Sequence, residues 1–406
     1  MNHKTIKVYS LATTYPESNE SKKPKFVHVI NKELIKLGLQ VKTITPHSKD
    51  SLTTEVLDGV LIRRFKYLPQ DYEFNYSSIP DEISKSKIGN LKLILMVIAF
   101  FTFTFYECIK EKPDVFHAHW SFPGGVIAFI MSKIFRRKFV VTIHGGEIPL
   151  LKKFKLIRRI VVFALNRAVI VCANSNYSRN EFLKMGVKEN KIIRLNVPPN
   201  FVLHSSDQQI LESFRSKFAD PSKKIVLFCG RLVERKGVEY LIKAITEIKM
   251  NNVHLIIVGG GELADDLQEL TKSLKLENKV TFYGRASDEE LGWFHDISDI
   301  FICPSIVDSK GITEYLGLVI PEAMESGLPV IATSVGGIVD IITNEVNGLL
   351  VPQKDPVAIA RAIERIILDK ELEKKIVENS KVTVTEFSPK NIAQKYFDIF
   401  RRLGNS

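Results

Sequence analysis

The 406-residue sequence lacks several features that mark whole classes of protein. It has only four cysteines, Cys108, Cys172, Cys229 and Cys303, which are widely spaced, and no cysteine and histidine spacing suits zinc. Three of the four lie in apolar runs that predict strands, so we expect reduced core residues rather than disulfides or metal ligands. No Asp-x-Asp sequence occurs either. These absences argue against a disulfide-stabilised scaffold and against a zinc module.

Long hydrophobic segments are also scarce. The uncharged run 93–106 has fourteen residues, fewer than the roughly 18 to 20 that span a bilayer. For 91–109 we favour a core helix, since helices between buried strands are often this apolar, and a membrane-contacting helix remains the alternative. The first ten residues lead into a strand without an apolar leader, which predicts a cytoplasmic location.

Acidic residues are outnumbered by basic ones, and the formal net charge is +11. The excess is concentrated in the segment 133–167, which has ten lysines and arginines against one acid, Glu147. Such a segment predicts an anionic partner. No interleaved pattern of aromatic and basic residues indicates nucleic acid. We therefore expect no nucleic-acid partner and a peripheral association with an anionic membrane surface, on its cytoplasmic side.

The order of apolar runs indicates the fold class. With 45% apolar and 25% charged residues, a chain of this length is expected to form two domains. Strand-like and helix-like patterns alternate, which predicts α/β architecture with two doubly wound, Rossmann-like parallel sheets. We predict strands near 6–11, 40–44, 114–118, 138–143, 168–172, 191–195, 224–229, 253–258, 279–283, 299–303, 329–332 and 348–351. The polar stretch 197–224 contains the linker.

The most informative motif is the segment 314–322, EYLGLVIPE. It follows a predicted buried strand, and a helix is predicted from Leu318 to Glu325. Glu314 is therefore expected in the loop, and Glu322 about one turn inside the helix. The backbone amides of Gly317, Leu318 and Val319 would favour an anion, beside carboxylates that bind hydroxyls. This arrangement indicates a nucleotide-sugar site, and two solvated glutamates are the alternative.

A second motif, GRLVERKG at 230–237, follows the apolar strand 225–228. Arg231 and Lys236 are expected to converge on the carboxyl end of that strand, where open α/β sheets bind ligands. A guanidinium fork and an ammonium group together would hold a diphosphate and neutralise its charge as it leaves. Arg235 is compatible with a solvated turn. Because the protein supplies this positive charge itself, we expect no metal and no other cofactor.

These motifs occur together with His144-Gly-Gly-Glu147 and with Gly336-Gly337. In this order they resemble the retaining glycosyltransferases of the GT-B fold known as the group 1 family. The resemblance covers most of the chain and implies two Rossmann-like domains facing across a cleft. Residues 1–200 would bind the acceptor, 201–386 would bind the nucleotide-sugar donor, and 387–406 would pack back on the first domain. Phe201 stands where relatives usually carry a glycine.

The resemblance also implies roles for individual residues. Glu314 would bind sugar hydroxyls, Glu322 would bind the ribose, and Gly284 and Arg285 would lie near the base. The predicted catalytic residues are His144, Glu314, Arg231 and Lys236. The predicted donor-binding residues are Arg231, Lys236, Gly284, Arg285, Glu314, Gly317, Leu318, Val319 and Glu322. The predicted acceptor-binding residues are Tyr15, His119, Trp120 and Glu147.

Three histidines fall near predicted strand ends. His144 follows the strand 139–143, and the two glycines after it let a ligand approach the backbone; its position matches a histidine near the transferred sugar in the family. His117 and His119 lie in one predicted strand, and we expect them to point to opposite faces. On that basis only His119, beside Trp120, would contact the acceptor.

The resemblance implies that a sugar passes, with retention, from a nucleotide-diphosphate sugar to a hydroxyl of a glycan or lipid-linked acceptor in surface polysaccharide or glycolipid synthesis. A double displacement would require a carboxylate nucleophile. The one motif carboxylate near the sugar, Glu314, matches a hydroxyl-binding residue, which favours front-side attack with the leaving phosphate as base. A nucleotide-sugar epimerase of the same architecture and an inactive binding relative are the alternatives. Release of nucleotide, as opposed to formation of an epimer, distinguishes them.

Overall fold

A computed structural model describes residues 5–18, 21, 24–49, 51–74, 87–200, 204–205 and 207–404. The chain divides into two compact units. The first unit is Met1–Pro198 with Ser388–Ser406, and the second is Pro199–Phe387. The sequence-based boundaries, at residues 200 and 387, lie within two residues of these. Phe201, at the linker position discussed above, lies outside the described residues.

The first unit is built on an eight-stranded sheet in the order β3-β4-β2-β1-β5-β6-β7-β8. Every neighbouring pair is parallel except β3 with β4. The strands are β1 Lys7–Leu11, β2 Gln40–Pro46, β3 Thr54–Leu57, β4 Val60–Phe65, β5 Val115–His119, β6 Lys138–Ile143, β7 Ile170–Ala173 and β8 Ile192–Arg194. The helices between them are α1 Phe26–Lys36, α2 Lys87–Lys110, α3 Val126–Phe135, α4 Ile148–Lys153, α5 Lys155–Leu165 and α6 Asn176–Lys184.

The second unit has a six-stranded parallel sheet in the order β11-β10-β9-β12-β13-β14. Its strands are β9 Lys224–Cys229, β10 Val253–Val258, β11 Val280–Gly284, β12 Ile300–Cys303, β13 Val330–Thr333 and β14 Leu349–Val351. Its helices are α7 Gln208–Ser216, α8 Val238–Glu247, α9 Ala264–Ser273, α10 Asp288–Ile297, α11 Val319–Glu325, α12 Pro356–Leu368 and α13 Lys370–Phe387. The predicted pair of doubly wound sheets is confirmed.

The last helix, α14 Pro389–Gly404, belongs to the first unit. Its buried residues include Tyr396 and Phe400, which join the core cluster beside β1, β5 and β6. The Tyr396 hydroxyl also shares a 2.8 Å hydrogen bond with the hydroxyl of Thr142 in β6. This polar contact is buried, so it fixes where α14 lies on the sheet as well as how deeply it packs.

Two features of the first unit differ from expectation. The hairpin β3-β4 was missed, although its turn residues Asp58 and Gly59 have positive φ values of 49° and 82° and form a favoured two-residue hairpin turn. We favoured a core helix for 91–109, but most of the surface of this helix is not buried in the protein. The segment Ile88–Lys110 is long and apolar enough to cross a membrane, and 22% of its apolar window is buried inside the protein.

Candidate active site

In the second unit, the carboxyl end of β9 leads into the predicted diphosphate motif. Gly230 donates its N–H to Val258 O, and Leu232 donates to Gly260 O, so this loop is paired with the loop after β10. A Cβ at Gly259 or Gly261 would overlap the carbonyl groups of Gly230 or Leu232. The Gly259-Gly260-Gly261 run therefore permits the close backbone approach that shapes the motif. Sequence reasoning missed it, though three glycines after a strand were a visible signal.

A buried ion cluster lies beside this loop. Lys236 is 8% exposed, and its Nζ lies 2.6 Å from Oε2 of Glu314. Arg235 reaches the same oxygen, with 2.9 Å between Nη1 and Oε2. The interpretation of Arg235 as part of a solvated turn is therefore wrong. Arg235 and Lys236 point to one carboxylate because they occupy the tight turn Glu234–Lys236, which ends at Gly237 with φ +64°.

The Gly336-Gly337 pair explains how Glu314 is held in place. Gly337 donates its N–H to Glu314 O at 2.9 Å. A Cβ at Gly336 would overlap that same carbonyl oxygen, and one at Gly337 would overlap the carbonyl of Tyr315. Only glycine allows this backbone contact, and Gly336 also has a φ of +56°. The motif thus fixes the loop that carries Glu314.

Charge in the cluster favours the ionised carboxylate. Burial alone would raise the pKa of Glu314, but the neighbouring Lys236 and Arg235 outweigh it and hold that pKa below its usual value. Arg231 behaves differently from these two cations. Its side chain is exposed, and no described residue forms a hydrogen bond or ion pair with it. The structure therefore brings Lys236 together with Glu314 and leaves the Arg231 guanidinium available to a ligand.

The second motif carboxylate, Glu322, is in a different environment. It lies in α11, is 4% exposed, and its Oε1 accepts the backbone N–H of Asn200 at 2.9 Å. Burial raises the pKa of Glu322 to about 8, although the Asn200 N–H and the charge of Lys236 oppose the shift. Two carboxyls of one motif thus have opposite pKa shifts, because one is paired with cations and the other is buried without one.

The remaining predicted donor contacts lie on neighbouring loops. The helix begins at Val319, one residue later than expected. Within the described part of the chain, nothing accepts a hydrogen bond from the backbone N–H groups of Gly317, Leu318 and Val319. Gly284 ends β11 with φ +83°, and its carbonyl oxygen accepts the backbone N–H of Gly259 at 2.7 Å. Arg285 is exposed beside Gly260.

In the first unit, a histidine pair lies at the ends of β5 and β6. His119 Nδ1 and His144 Nε2 lie 3.3 Å apart, and their rings are stacked with centroids 5.5 Å apart. The rings of Trp120 and Phe26 also contact His144, with centroid distances of 4.8 Å and 4.7 Å. The structure therefore brings His119, Trp120 and His144 together.

His117 lies on the same face of β5 as His119, with ring centroids 4.2 Å apart, so the expectation of opposite faces is wrong. Residues two apart in a strand project from one face, because the side-chain period is two. His117 Nε2 contacts the Thr142 hydroxyl at 2.8 Å, and its ring packs against Tyr396. His117 therefore belongs to the core of the unit behind the histidine pair.

Burial keeps these histidines neutral. It lowers the pKa of His117 and of His144 to about 3, and it lowers the pKa of His119 well below the usual value, helped by the two neighbouring rings. His119 Nε2 and His144 Nδ1 are buried and find no hydrogen-bond partner among the described residues. A neutral imidazole nitrogen can donate to or accept from a hydroxyl, depending on the tautomer. The pair thus has two buried nitrogens whose hydrogen-bonding capacity the described residues do not satisfy.

Two other predicted acceptor residues have partners inside the unit. Glu147 is 5% exposed, and its Oε1 accepts the backbone N–H of Ser121 at 3.1 Å. Burial raises the pKa of Glu147. The Tyr15 hydroxyl is buried against His28 Nδ1 at 2.9 Å, and His28 Nε2 contacts Asp58. Because this hydroxyl is already hydrogen-bonded and buried, the structure does not favour Tyr15 as an acceptor contact.

A pair of doubly wound sheets, with an anion-compatible loop and two motif carboxylates in one of them, is the arrangement expected of a GT-B glycosyltransferase. Two family models match the chain. Residues 25–202 match "Glycosyltransferase Family 4", and residues 209–383 match "Glycosyl transferases group 1". The chain belongs to the group 1 glycosyltransferases.

Individual relatives agree in both length and fold. The uncharacterized glycosyltransferase MJ1607 of Methanocaldococcus jannaschii is 27% identical over 379 residues, which are 91% of each chain. TuaC of Bacillus subtilis, a glycosyltransferase named for teichuronic acid biosynthesis, is 24% identical over 89% of each chain. The crystal structure of Anabaena HepE in complex with UDP is similar, with a TM-score of 0.76 and 20% identity, over 98% of this chain and 100% of that one.

Proposed function

We propose that the protein transfers a sugar, with retention of anomeric configuration, from a nucleotide-diphosphate sugar to a hydroxyl of a glycan or lipid-linked acceptor. The observation that carries the proposal is the cluster of Lys236, Arg235 and Glu314 on the loops that also carry Arg231, whose guanidinium no described residue pairs. A paired carboxylate that accepts from sugar hydroxyls, next to a free guanidinium that holds phosphate, matches the two halves of such a donor.

The proposed reaction breaks the bond between the anomeric carbon and the diphosphate oxygen, and the electron pair leaves with the diphosphate. The acceptor oxygen forms its bond on the same face, and its proton passes to the departing phosphate oxygen. Arg231 and Lys236 stabilise the negative charge that grows on the leaving group. These groups supply the positive charge without a metal ion, so we propose a reaction that needs no metal cofactor.

The front-side route is supported by the state of Glu314. Its Oε2 is held by two cations, and its lowered pKa makes it a weak base and a weak nucleophile. A double displacement would need this carboxylate to leave both partners and attack carbon. We therefore assign Glu314 to the sugar hydroxyls and Glu322 to the ribose of the donor, with Gly284 and Arg285 near the base.

We assign the acceptor to the first unit, where the neutral His119 and His144 rings offer two unpartnered nitrogens beside Trp120. Neutral imidazoles suit hydroxyls better than they suit phosphate, because they add no charge to the site. TuaC, which is named for teichuronic acid biosynthesis, supports an acceptor from surface polysaccharide synthesis. An acceptor of this kind that is linked to lipid would be met on the cytoplasmic side of a membrane, where we propose that the protein works.

Nucleotide release from UDP-, GDP- and ADP-sugars, measured with the purified full chain, tests the proposal. HepE binds UDP, so UDP-sugars are the first choice. We expect one class of donor to raise the melting temperature and to release nucleotide in the presence of acceptor glycans. A product sugar with the donor's anomeric configuration, established by NMR, would support retention. Formation of an epimeric nucleotide-sugar without acceptor would contradict transfer.

A further inference from the structure

The helix α2 carries an apolar surface that no other part of the described chain covers. Its exposed large side chains are separated by three, four or, once, eight residues, and these spacings place them on one face of the helix. They are Ile88, Leu91, Ile94, Ile98, Tyr106 and Ile109, and each is between 49% and 69% exposed. At 1.5 Å per residue, this stripe is roughly 30 Å long. The exposed Thr102 separates Ile98 from Tyr106 in this stripe. Monomeric soluble proteins rarely expose an apolar surface of this length.

The opposite face of α2 is fixed to the sheet. Met96 and Phe100 are buried, and the Phe100 ring stacks on Phe65 at the end of β4 with centroids 4.8 Å apart. Glu107 is 3% exposed and pairs with Arg63 and Lys42. A helix that spanned a bilayer would have to break this packing and carry a paired carboxylate into hydrocarbon. The arrangement instead suits a helix that lies flat, with one face on the sheet and the other outward.

Two neighbouring helices extend the surface. Phe105 of α2 contacts Phe135 of α3, with ring centroids 5.5 Å apart, and Phe129 of α3 contacts Phe163 of α5 at 5.7 Å. The helix α5 adds its own outward apolar residues. They are Leu156, Ile160 and Phe163, which are 70%, 46% and 51% exposed. We call the outward face of α2, α3 and α5 the three-helix face.

Charge on the three-helix face has one sign. The helices α2, α3 and α5 contain one acidic residue, Glu107, and it is buried. Exposed basic residues border the apolar side chains, namely Lys110, Lys133, Arg136, Lys153, Lys155, Arg159 and Arg167. The Arg167 guanidinium lies over the Phe163 ring, 3.4 Å from its centroid. An apolar centre with an all-basic border is the pattern of interfacial helices on anionic lipid.

We propose that the three-helix face is a docking surface for an anionic membrane, into which it inserts apolar side chains without spanning the bilayer. This inference extends the proposed location of the enzyme by naming the surface and its mode of contact. The α2 helix starts after β4 and ends before β5, so its first turns, with Ile88 and Leu91, lie toward the carboxyl ends of the strands. Those ends also carry His119 and His144, so a membrane docked here would present a lipid-linked acceptor near them.

Vesicle co-sedimentation of the full chain tests the inference. We expect binding to phosphatidylcholine vesicles that contain phosphatidylglycerol, and a residual fraction that persists at about 0.5 M salt because the apolar contribution is not screened. Ile94→Ser with Ile98→Ser should weaken binding about tenfold and remove the salt-resistant fraction. Lys153→Gln with Lys155→Gln and Arg159→Gln should weaken binding at low salt and leave the salt-resistant fraction. The matched control is Leu368→Ser with Val382→Ser in the second unit, where both residues are about as exposed (71% and 69%) and binding should not change.

Several results would overturn the inference. One is wild-type vesicle affinity in the Ile94 and Ile98 variant. Another is complete loss of wild-type binding at high salt. A third is wild-type protein that resists extraction by alkaline carbonate, as a protein with a spanning helix does. A wild-type dimer that the Ile94 and Ile98 variant dissociates, with vesicle binding unchanged, would assign the face to a second copy of the chain. Nucleotide release without vesicles should be normal in every variant. Failed vesicle binding with normal release therefore counts against this inference alone, and failed release with normal vesicle binding counts against the proposed function alone.

Discussion

At the level of single residues, the donor unit depends on one carboxylate oxygen. Oε2 of Glu314 is contacted by both Lys236 and Arg235, at 2.6 Å and 2.9 Å. Two cations on one buried oxygen hold the carboxylate in a fixed orientation and keep it ionised. We therefore regard Arg235 as a positioning residue, which acts on the sugar only through Glu314.

Replacing Arg235 tests this role through pH dependence. In Arg235→Gln the pKa of Glu314 should rise, since one of the two cations that lower it is gone. The acidic limb of the kcat profile should then move to higher pH, with kcat reduced about tenfold at its optimum. In Arg235→Lys the acidic limb should lie close to its wild-type pH. Arg231→Gln is the control, because Arg231 does not contact Glu314. It should lower kcat without moving the limb, and an unmoved limb in Arg235→Gln would contradict the positioning role.

Glu322 should make nucleotide binding depend on pH. Burial raises its pKa to about 8 in the empty site, so it is mostly protonated at pH 7. Ribose hydroxyls that donate to Glu322 would favour the ionised form, so binding should release close to one proton and tighten as the pH rises from 6 toward 8. Calorimetry in buffers of different ionisation enthalpy measures the release. Glu322→Gln should abolish it, and equal proton release in that variant would remove Glu322 from the ribose site.

The raised pKa of Glu322 also affects folding. It makes the free energy of unfolding fall with rising pH, whereas a carboxylate with a lowered pKa makes it rise. The pKa of Glu322 is higher in the folded chain than its ordinary value of 4.5, so the unfolded chain binds fewer protons between those values. The free energy of unfolding of the empty protein should therefore fall as the pH rises from about 4.5 to 8. Denaturant melts of wild-type and Glu322→Gln protein should differ in this window, and identical pH profiles would contradict the shift.

Some single-residue features could be predicted from the sequence, and others could not. The motif residues Glu314, Glu322 and Lys236 were found because they occur at fixed spacings after apolar strands. The link between Arg235 and Glu314 crosses 79 positions of sequence and depends on a tight turn, so no local pattern carries it. The shared face of His117 and His119 was readable, since their spacing of two fixes it. That error came from applying the alternation rule to the wrong pair.

At the level of elements, the loop after β12 is positioned by the turn that contains Gly336 and Gly337. In Gly336→Ala the new Cβ would overlap the Glu314 carbonyl, and the positive φ adds strain. The loop must shift, so kcat should fall about a hundredfold, as misplacement of catalytic groups commonly costs. Gly327→Ala is a matched control, because Gly327 also has a positive φ, +76°, but has open space around its Cβ. It should lower the melting temperature and leave kcat unchanged, and equal kcat in both variants would contradict the loop's role.

Strands and helices could be predicted where their sequences have a clear apolar composition or pattern. Strands such as β9 and β10 are continuous apolar runs buried on both faces, and this composition marks them in the sequence. The hairpin β3-β4 has a half-exposed first strand, so only its Asp58-Gly59 turn was a clear signal. Helix α2 is apolar almost all round, and a uniformly apolar helix does not reveal which face the sheet covers. Its exposed stripe appears only when the packing of Phe100 and Glu107 is known.

At the level of the whole molecule, the chain contains two α/β units with different chemistry. The second unit contains the cluster of Lys236, Arg235 and Glu314, with Glu314 ionised and Glu322 mostly protonated at pH 7. The first unit has neutral histidine rings at the ends of β5 and β6, and exposed cations border its three-helix face. The order of motifs was sufficient to predict the fold, because each follows a strand of one of the two sheets.

Turnover of Lys236→Ala in a protein that remains folded tests directly whether Lys236 stabilises the leaving diphosphate. Negative charge grows on the leaving diphosphate, so a cation there stabilises the transition state more than the bound donor. With the nucleotide-sugar that the wild type uses, kcat should fall by about two to three orders of magnitude, while the melting temperature shows a folded protein. Lys243→Ala, which removes a lysine paired with Glu239 on the exposed face of α8, should be normal. Near-normal turnover in folded Lys236→Ala protein would mean that the donor is bound elsewhere and that the account is wrong.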